Sequence, residues 1–151
     1  MNTVTATRSN VNREELELKV KKMYREVALH PEVTYHFEMG RALAERLGYP
    51  SQILDNIPSS AIDSFAGVGY YFDFALLQEG EKVVDLGSGS GMDVFFEALQ
   101  VGDRGEVIGV DMTTEQLNKA EGLSRQYNFK QVVFRNSYIE SIPVVSGSID
   151  A

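Results

Sequence analysis

The chain has 151 residues, of which 43% are hydrophobic and 24% are charged, with no cysteine and a formal net charge of −8. This length is enough for one domain with a sizeable core. The missing cysteines exclude disulfides, thiolate metal sites and cysteine nucleophiles. The acidic balance argues against a nucleic-acid partner, and no apolar run reaches the ~18 residues of a membrane span. We therefore predict a cytoplasmic protein that binds a small molecule, with no membrane partner and no metal site.

The first 80 residues are predicted to form an N-terminal helical section. Residues 1–11 are polar and are predicted to be disordered. Asn12 stands before two glutamates and an apolar pattern of helical spacing, which is typical of a helix N-terminus. A helix is therefore expected over 13–29. Two further helices are predicted, at about 37–47 and 58–65.

From residue 81 to 151, apolar strands alternate with helical patterns. The predicted order is a strand at 83–86, a helix at 93–100, a strand at 107–110, a helix ending near 127 and a strand at 131–134. Strands that alternate with helices imply a parallel sheet with right-handed crossovers. The first strand has no polar alternation, which predicts burial on both of its faces. Thr113 and Gln116 match a capping box for the second helix.

A glycine-rich turn, Gly87-Ser88-Gly89-Ser90-Gly91, joins the first strand to the helix that follows. This layout brings backbone N–H groups and a helix N-terminus against a ligand. A dinucleotide fingerprint requires glycine or alanine at position 92, where this chain has Met92, so a nicotinamide dehydrogenase is a distant alternative. The Gly-Lys-Ser/Thr of a phosphate-binding loop and the serine spacing of a nucleophile elbow are both missing.

Two acidic residues complete the pattern around this turn. Asp111 ends the next strand, where a carboxylate can accept hydrogen bonds from both hydroxyls of a ribose. Asp85 and the N–H groups near Gly87 are suited to an ammonium and a carboxylate. A ligand with an amino-acid end and a nucleoside end, but without phosphate, fits this set. S-adenosylmethionine is such a ligand, and we predict it as the cofactor.

Five stretches of the chain carry a family resemblance. They are HFEMGRALAERLGYP at 36–50, SFAGVG at 64–69, VVDLGSGSGMD at 83–93, VIGVDMT at 107–113 and YIESIP at 138–143. With these motifs the chain resembles the class I S-adenosylmethionine-dependent methyltransferases, and among them the arsenite methyltransferase-type proteins. The resemblance implies an α/β, Rossmann-like class I methyltransferase fold, here with about three strands after the N-terminal helices.

The resemblance also implies a role for each matching residue. The expected cofactor-binding residues are Tyr24, Asp85, Gly87, Ser88, Gly89, Gly91, Asp111, Met112, Ile139 and Glu140. The glycine turn passes the methionine part, Asp111 holds the ribose and Met112 lies against adenine. Ile139 and Glu140 border the adenine ring, next to Tyr138, where many methyltransferases carry aspartate. Tyr24 closes over the cofactor, with ordinary core packing as the alternative. No catalytic residue is predicted.

The chain departs from the family in its cysteines, since many relatives have one where Val68 stands and some have one where Val94 stands. Soft thiolates are the ligands that trivalent arsenic requires. The predicted function is therefore methyl transfer to a small-molecule acceptor, with arsenite as a candidate. The alternative is a cofactor-binding or dimerising fragment without turnover.

The last residues of the sequence suggest how the chain could pair with another segment or another copy. Residues 148–151 look like the start of another strand, which would leave the edge of the first strand open for pairing. This pattern predicts a fragment of a longer protein. The alternative is a homodimer that pairs through the open sheet edge.

Overall fold

A computed structural model describes residues 12–151. The prediction of disorder for residues 1–11 lies outside that range. The helices are α1 (Arg13–Leu29), α2 (Gly40–Leu47), α3 (Ser51–Leu54), α4 (Ser59–Asp63), α5 (Phe72–Ala75), α6 (Met92–Val101) and α7 (Thr114–Gln126). The strands are β1 (Lys82–Leu86), β2 (Glu106–Asp111) and β3 (Val132–Asn136).

Helix α1 begins and ends where the sequence predicts. The Asn12 side chain accepts hydrogen bonds from the backbone N–H groups of Glu14 and Glu15, at 3.1 and 3.3 Å, and so satisfies two donors at the helix N-terminus. The prediction for α2 was wrong at its start, which is Gly40 rather than Phe37. Gly40 has a φ of +80° and donates its N–H to the carbonyl oxygen of Phe65, so the chain turns there before the helix begins.

The three strands form one parallel sheet in the order β1-β2-β3, which confirms the predicted fold class. Strand β2 lies in the centre, where Ile108 is opposite Val84 on one side and Val133 on the other. Helices α6 and α7 provide the two crossovers between the parallel strands. The carboxyl ends of β1 and β2 therefore lie at the same edge of the sheet, which is where ligands bind in open α/β sheets.

Burial of β1 on both faces was a wrong expectation. Val83 is buried, but Leu86 at the end of the strand is 44% exposed. Helix α6 packs against β1, and residues 150–151 cover only part of the strand's outer hydrogen-bonding edge. Asp150 donates its N–H to the Lys82 carbonyl oxygen at 2.8 Å, and Ala151 accepts from the Val84 N–H at 3.0 Å. These bonds agree with the expectation that residues 148–151 begin a strand beside β1.

The apolar core has two clusters. One joins the N-terminal helices to α6 and α7, and contains Leu43, Ala44, Tyr49, Leu54, Ile57, Ala61, Ile62, Phe65, Met92, Phe95, Phe96 and Leu123. The other lies between α6 and the sheet, and contains Val83, Val94, Ala98, Val101, Val107 and Val132. Residues from both sides of position 80 thus share a core, and the division into sections at that position stays a prediction.

Candidate functional site

A cavity of about 910 Å³ lies at the carboxyl ends of β1 and β2. Most of its wall comes from four places: helix α1, the connector at residues 64–67, the glycine turn with the start of α6, and residues 111–113 with the loop at 137–141. Ala61 and Gln116 complete the wall. The turn and the two acidic strand ends are close in space because β1 and β2 are parallel neighbours. Helix α1 and the connector close the side that the sheet leaves open.

The glycine turn has the backbone shape that its sequence requires. Gly87, Gly89 and Gly91 have φ values of +82°, +54° and +91°, which other residues adopt only at a cost. A side chain on Gly87 would meet no atom within 4 Å, while one on Gly91 would press on Phe134 and Phe95 at 3.1 Å. Gly87 and Gly89 therefore keep space open at the cavity, and Gly91 serves the packing of α6.

The N–H groups near Gly87 were expected to be free to bind a ligand, but they make hydrogen bonds within the chain. Gly87 and Ser88 both donate to the carbonyl oxygen of Val110, at 2.8 and 3.0 Å. Gly89 donates to Oδ2 of Asp111 at 3.0 Å. These three backbone amides attach the turn to the end of β2 and are not free for a ligand carboxylate.

Two buried polar atoms at the end of β1 have no hydrogen-bond partner among the described residues. They are Oδ2 of Asp85 and Oγ of Ser88. Burial, together with the neighbouring carboxylates of Asp93 and Asp111, raises the pKa of Asp85 to about 8. An unpartnered buried polar group costs about 1–3 kcal/mol. A ligand ammonium near Asp85 and a ligand acceptor near the Ser88 hydroxyl would remove this cost.

Asp111 is oriented by two backbone donors. Its Oδ1 accepts from the Thr113 N–H at 2.7 Å, and its Oδ2 accepts from Gly89. Each carboxylate oxygen has a second lone pair, so the side chain can still accept from a ribose hydroxyl. Met112 follows it on the cavity wall.

Helix α1 and the loop at 137–141 face each other across one end of the cavity. The Tyr138 hydroxyl donates to Glu17 at 2.6 Å and accepts from Lys21, whose ammonium lies 4.5 Å from the centre of the tyrosine ring. The Glu140 carboxylate lies 3.9 Å from the Arg13 guanidinium. Helix α1 therefore forms one wall of the cavity, and polar contacts with the loop at 137–141 hold its N-terminal part in place.

Gln116 holds the inner part of the same wall. It is 2% exposed, donates to the carbonyl oxygen of Tyr24 at 2.9 Å and accepts from the Ser90 hydroxyl. The predicted capping box is therefore wrong, because the Thr113 side chain makes no capping hydrogen bond and Gln116 points to the glycine turn and α1. Sequence reasoning missed this link, since the partners of Gln116 are 26 and 92 residues away.

Eight of the ten predicted cofactor residues line the cavity. They are Tyr24, Gly87, Ser88, Gly89, Asp111, Met112, Ile139 and Glu140. Asp85 and Gly91 are not on the wall, and Oδ2 of Asp85 is buried without a hydrogen-bond partner among the described residues. Half-buried Tyr24 faces the cavity rather than the centre of the core. The binding role of each residue stays a prediction.

A buried acidic group at the start of α6 was also missed. Asp93 lines the cavity and accepts a hydrogen bond from the Tyr49 hydroxyl at 2.6 Å. Burial raises the pKa of Asp93 to about 6, and the tyrosine hydrogen bond partly offsets this rise. Glu97, one turn further along α6, is 7% exposed, and burial raises its pKa strongly. The signal in the sequence was the spacing of these two acids on an otherwise apolar helix.

Known proteins resemble both the sequence and the fold. A methyltransferase domain model matches residues 77–151. The arsenite methyltransferase of Halobacterium salinarum is 40% identical over 107 residues, which cover 71% of this chain and 27% of that protein. That of Aquipseudomonas alcaligenes is 44% identical over 81 residues, 49% of this chain and 23% of that protein.

A solved structure agrees with these sequence matches. The arsenic(III) S-adenosylmethionine methyltransferase of Chlamydomonas reinhardtii superposes with a TM-score of 0.50 and 32% identity, over 60% of this chain and 32% of that one. This chain is a class I methyltransferase relative of the arsenite methyltransferase type. It spans about a quarter of the length of the curated relatives that it matches. Among the described residues, no helix is long and apolar enough to cross a membrane.

Proposed function

We propose that this chain binds S-adenosylmethionine in the cavity and that the whole protein transfers its methyl group to a small-molecule acceptor. The observation that carries the proposal is the pair of unpartnered polar atoms, Oδ2 of Asp85 and Oγ of Ser88, at the base of the glycine turn. They match the amino-acid end of this cofactor, while Asp111 suits its ribose. The relatives' names and the matching methyltransferase domain support the same cofactor.

Each part of the cavity has a binding task in this proposal. Ser88 on the cavity wall offers a hydroxyl to the cofactor's carboxylate, and Asp85, although not on the wall, offers a carboxylate to its ammonium. Met112 and Ile139 provide apolar contacts for the adenine ring, and helix α1 excludes water on the opposite side. When bound, the cofactor supplies an electrophilic methyl group on a sulfonium. The protein's contribution is then chiefly to align the acceptor with that methyl group.

Arsenite is a candidate acceptor because curated relatives carry the name arsenite methyltransferase. The sequence contains no cysteine, so any arsenic ligand within these 151 residues has to be something other than a thiolate. The cytoplasmic location, the exclusion of nucleic acid and the edge-paired homodimer also remain predictions.

Calorimetric titration of the purified chain tests the cofactor. We expect saturable binding of S-adenosylmethionine and no binding of NAD, because Met92 occupies the position at which a dinucleotide fingerprint has glycine or alanine. Binding of NAD alone, or of neither ligand, would contradict the proposal. A transfer assay with arsenite and with small hydroxyl and amine acceptors follows. Cofactor binding without transfer to any acceptor would favour the alternative of a binding fragment.

A further inference from the structure

The pair formed by Tyr49 and Asp93 is placed to act on an acceptor. Asp93 lies in the first turn of α6 and shares the cavity wall with the glycine turn and the connector at 64–67. The Tyr49 hydroxyl, which donates to Asp93 at 2.6 Å, is 3.5 Å from the carbonyl oxygen of Gly69. Asp93 thus lies on the cavity wall, while Tyr49 is buried behind it and holds its carboxylate.

Aromatic packing fixes the orientation of Tyr49. The residue is 3% exposed, and its ring lies edge-on to four others within 5.0–6.1 Å, those of Phe65, Tyr70, Phe72 and Phe96. Desolvation and the Asp93 carboxylate raise its pKa, so the hydroxyl keeps its proton and acts as a donor. A donor held in this way leaves a defined set of lone pairs on Asp93 for a group inside the cavity.

From this geometry we infer that Asp93 accepts the proton of the methyl acceptor, whose nucleophilic oxygen or nitrogen atom carries that proton. The inference rests on the proposed function and specifies its substrate class. The nucleophilic atom forms a bond to the methyl carbon, and the carbon–sulfur bond breaks with its electron pair remaining on sulfur. The acceptor's proton passes to a carboxylate oxygen of Asp93, which becomes neutral and later releases the proton to water.

The surrounding charges suit this role. The titratable groups that face Asp93 are Tyr49 from the α2–α3 linker, Asp85 from β1 and Glu97 from α6. Burial raises the pKa of Asp93 to about 6 against the lowering effect of the Tyr49 hydrogen bond, close to the value at which a general base works best near neutral pH. The step removes the cofactor's sulfonium charge and the carboxylate's negative charge together, so the net charge of the cavity does not change.

The inference separates two kinds of acceptor. Arsenic(III) attacks through a lone pair and has no proton on the attacking atom, so its methylation does not need Asp93. An alcohol, phenol or amine carries such a proton and does need it. Substituting Asp93 should therefore affect only the second kind of acceptor.

Asp93→Asn tests the role, because it keeps the shape of the side chain and an acceptor for Tyr49. We expect S-adenosylmethionine affinity within about threefold of wild type, and kcat for hydroxyl and amine acceptors lower by about 10²–10⁴-fold. The rise of kcat/KM through about pH 6 should disappear. Asp93→Glu should recover part of the rate. Asp103→Asn is the control, because it removes an exposed carboxylate just beyond the end of α6 and off the cavity wall, and it should keep both rate and pH profile.

A second variant and a second readout make the test independent of turnover. Tyr49→Phe keeps the aromatic packing but removes the donor, so the pKa of Asp93, followed by carboxyl ¹³C NMR, should rise along with the midpoint of the pH–rate profile. The inference would be overturned if the Asp93 pKa were unchanged in Tyr49→Phe. It would also be overturned if Asp93→Asn methylated hydroxyl and amine acceptors at the wild-type rate. A wild-type chain that binds the cofactor and methylates only arsenite would overturn it as well. Absence of cofactor binding would instead be a failure of the proposed function.

Discussion

The backbone N–H of Gly89 donates to Oδ2 of Asp111 at 3.0 Å, which joins the glycine turn after β1 to the carboxyl end of β2. The two residues are 22 positions apart, yet both strand ends meet at one edge of the parallel sheet. The same contact orients a carboxylate and fixes the turn. Changes at the turn should therefore affect both ligand binding and folding.

Gly89→Ala should weaken S-adenosylmethionine binding at least tenfold, about 1.4 kcal/mol. The new methyl group would enter the cavity, with Oε1 of Gln116 as its nearest neighbour at 3.8 Å. Gly80→Ala is the control, since Gly80 also has positive φ and space around it but is not on the cavity wall. Both variants should lose about 1–2 kcal/mol of unfolding free energy. Equal cofactor affinity in the two variants, measured by calorimetry, would contradict the role of the turn.

Gly109→Ala should destabilise the fold by about 1–3 kcal/mol, because β2 has no room for a side chain there. Its Cβ would approach the Phe134 ring to 2.7 Å and Ser88 Oγ to 2.9 Å. Gly122→Ala in α7 is the opposite case, with nothing within 4 Å and helical backbone, and should stabilise by about 0.5–1 kcal/mol. Urea unfolding measures both. A Gly109→Ala chain as stable as wild type would show that this packing is looser than the structure indicates.

The unfolding free energy of the ligand-free chain should decrease as the pH rises from about 4 to about 8. Burial raises the pKa values of Asp85 to about 8 and of Asp93 to about 6, above the ordinary 3.8. The folded chain therefore binds more protons than the unfolded chain in this window, so raising the pH favours unfolding. Urea midpoints at pH 5 and pH 8 measure the slope.

Asp85→Asn should flatten that slope and raise the urea midpoint at pH 8. Asp103→Asn, which removes an exposed charge, is the control for net charge and should leave the slope unchanged. A midpoint that rises from pH 5 to pH 8 in the wild type would contradict the raised pKa values of the buried acids.

Tyr138→Phe should speed cofactor release about fivefold, as expected for the loss of roughly 1 kcal/mol. The hydroxyl joins Glu17 and Lys21 on α1 to the loop at the mouth of the cavity. Because these groups are partly exposed to solvent, the unfolding free energy should change by less than about 1 kcal/mol. Stopped-flow dissociation measures the effect, with Tyr127→Phe on the far end of α7 as the control. Identical release rates in the two variants would indicate that this contact does not hold α1 in place.

The sequence alone determined the local features of this protein. Asn12, the glycine turn and the apolar runs act over a few residues, and their chemistry fixes the α1 boundary, the turn and the three strands. The closeness of the acids on β1 and β2 was also predictable, because parallel strands place their carboxyl ends together.

The tertiary structure decided which distant groups meet. Tyr49 and Asp93 are 44 residues apart, and no local pattern relates them. Gln116 follows a capping pattern in sequence but bonds to α1 and the glycine turn, since packing of α1 on α7 brings the Tyr24 carbonyl within reach. The outward exposure of Leu86 has the same origin. Side-chain partners and exposure depend on how the elements pack, and that packing is set by contacts distant in sequence.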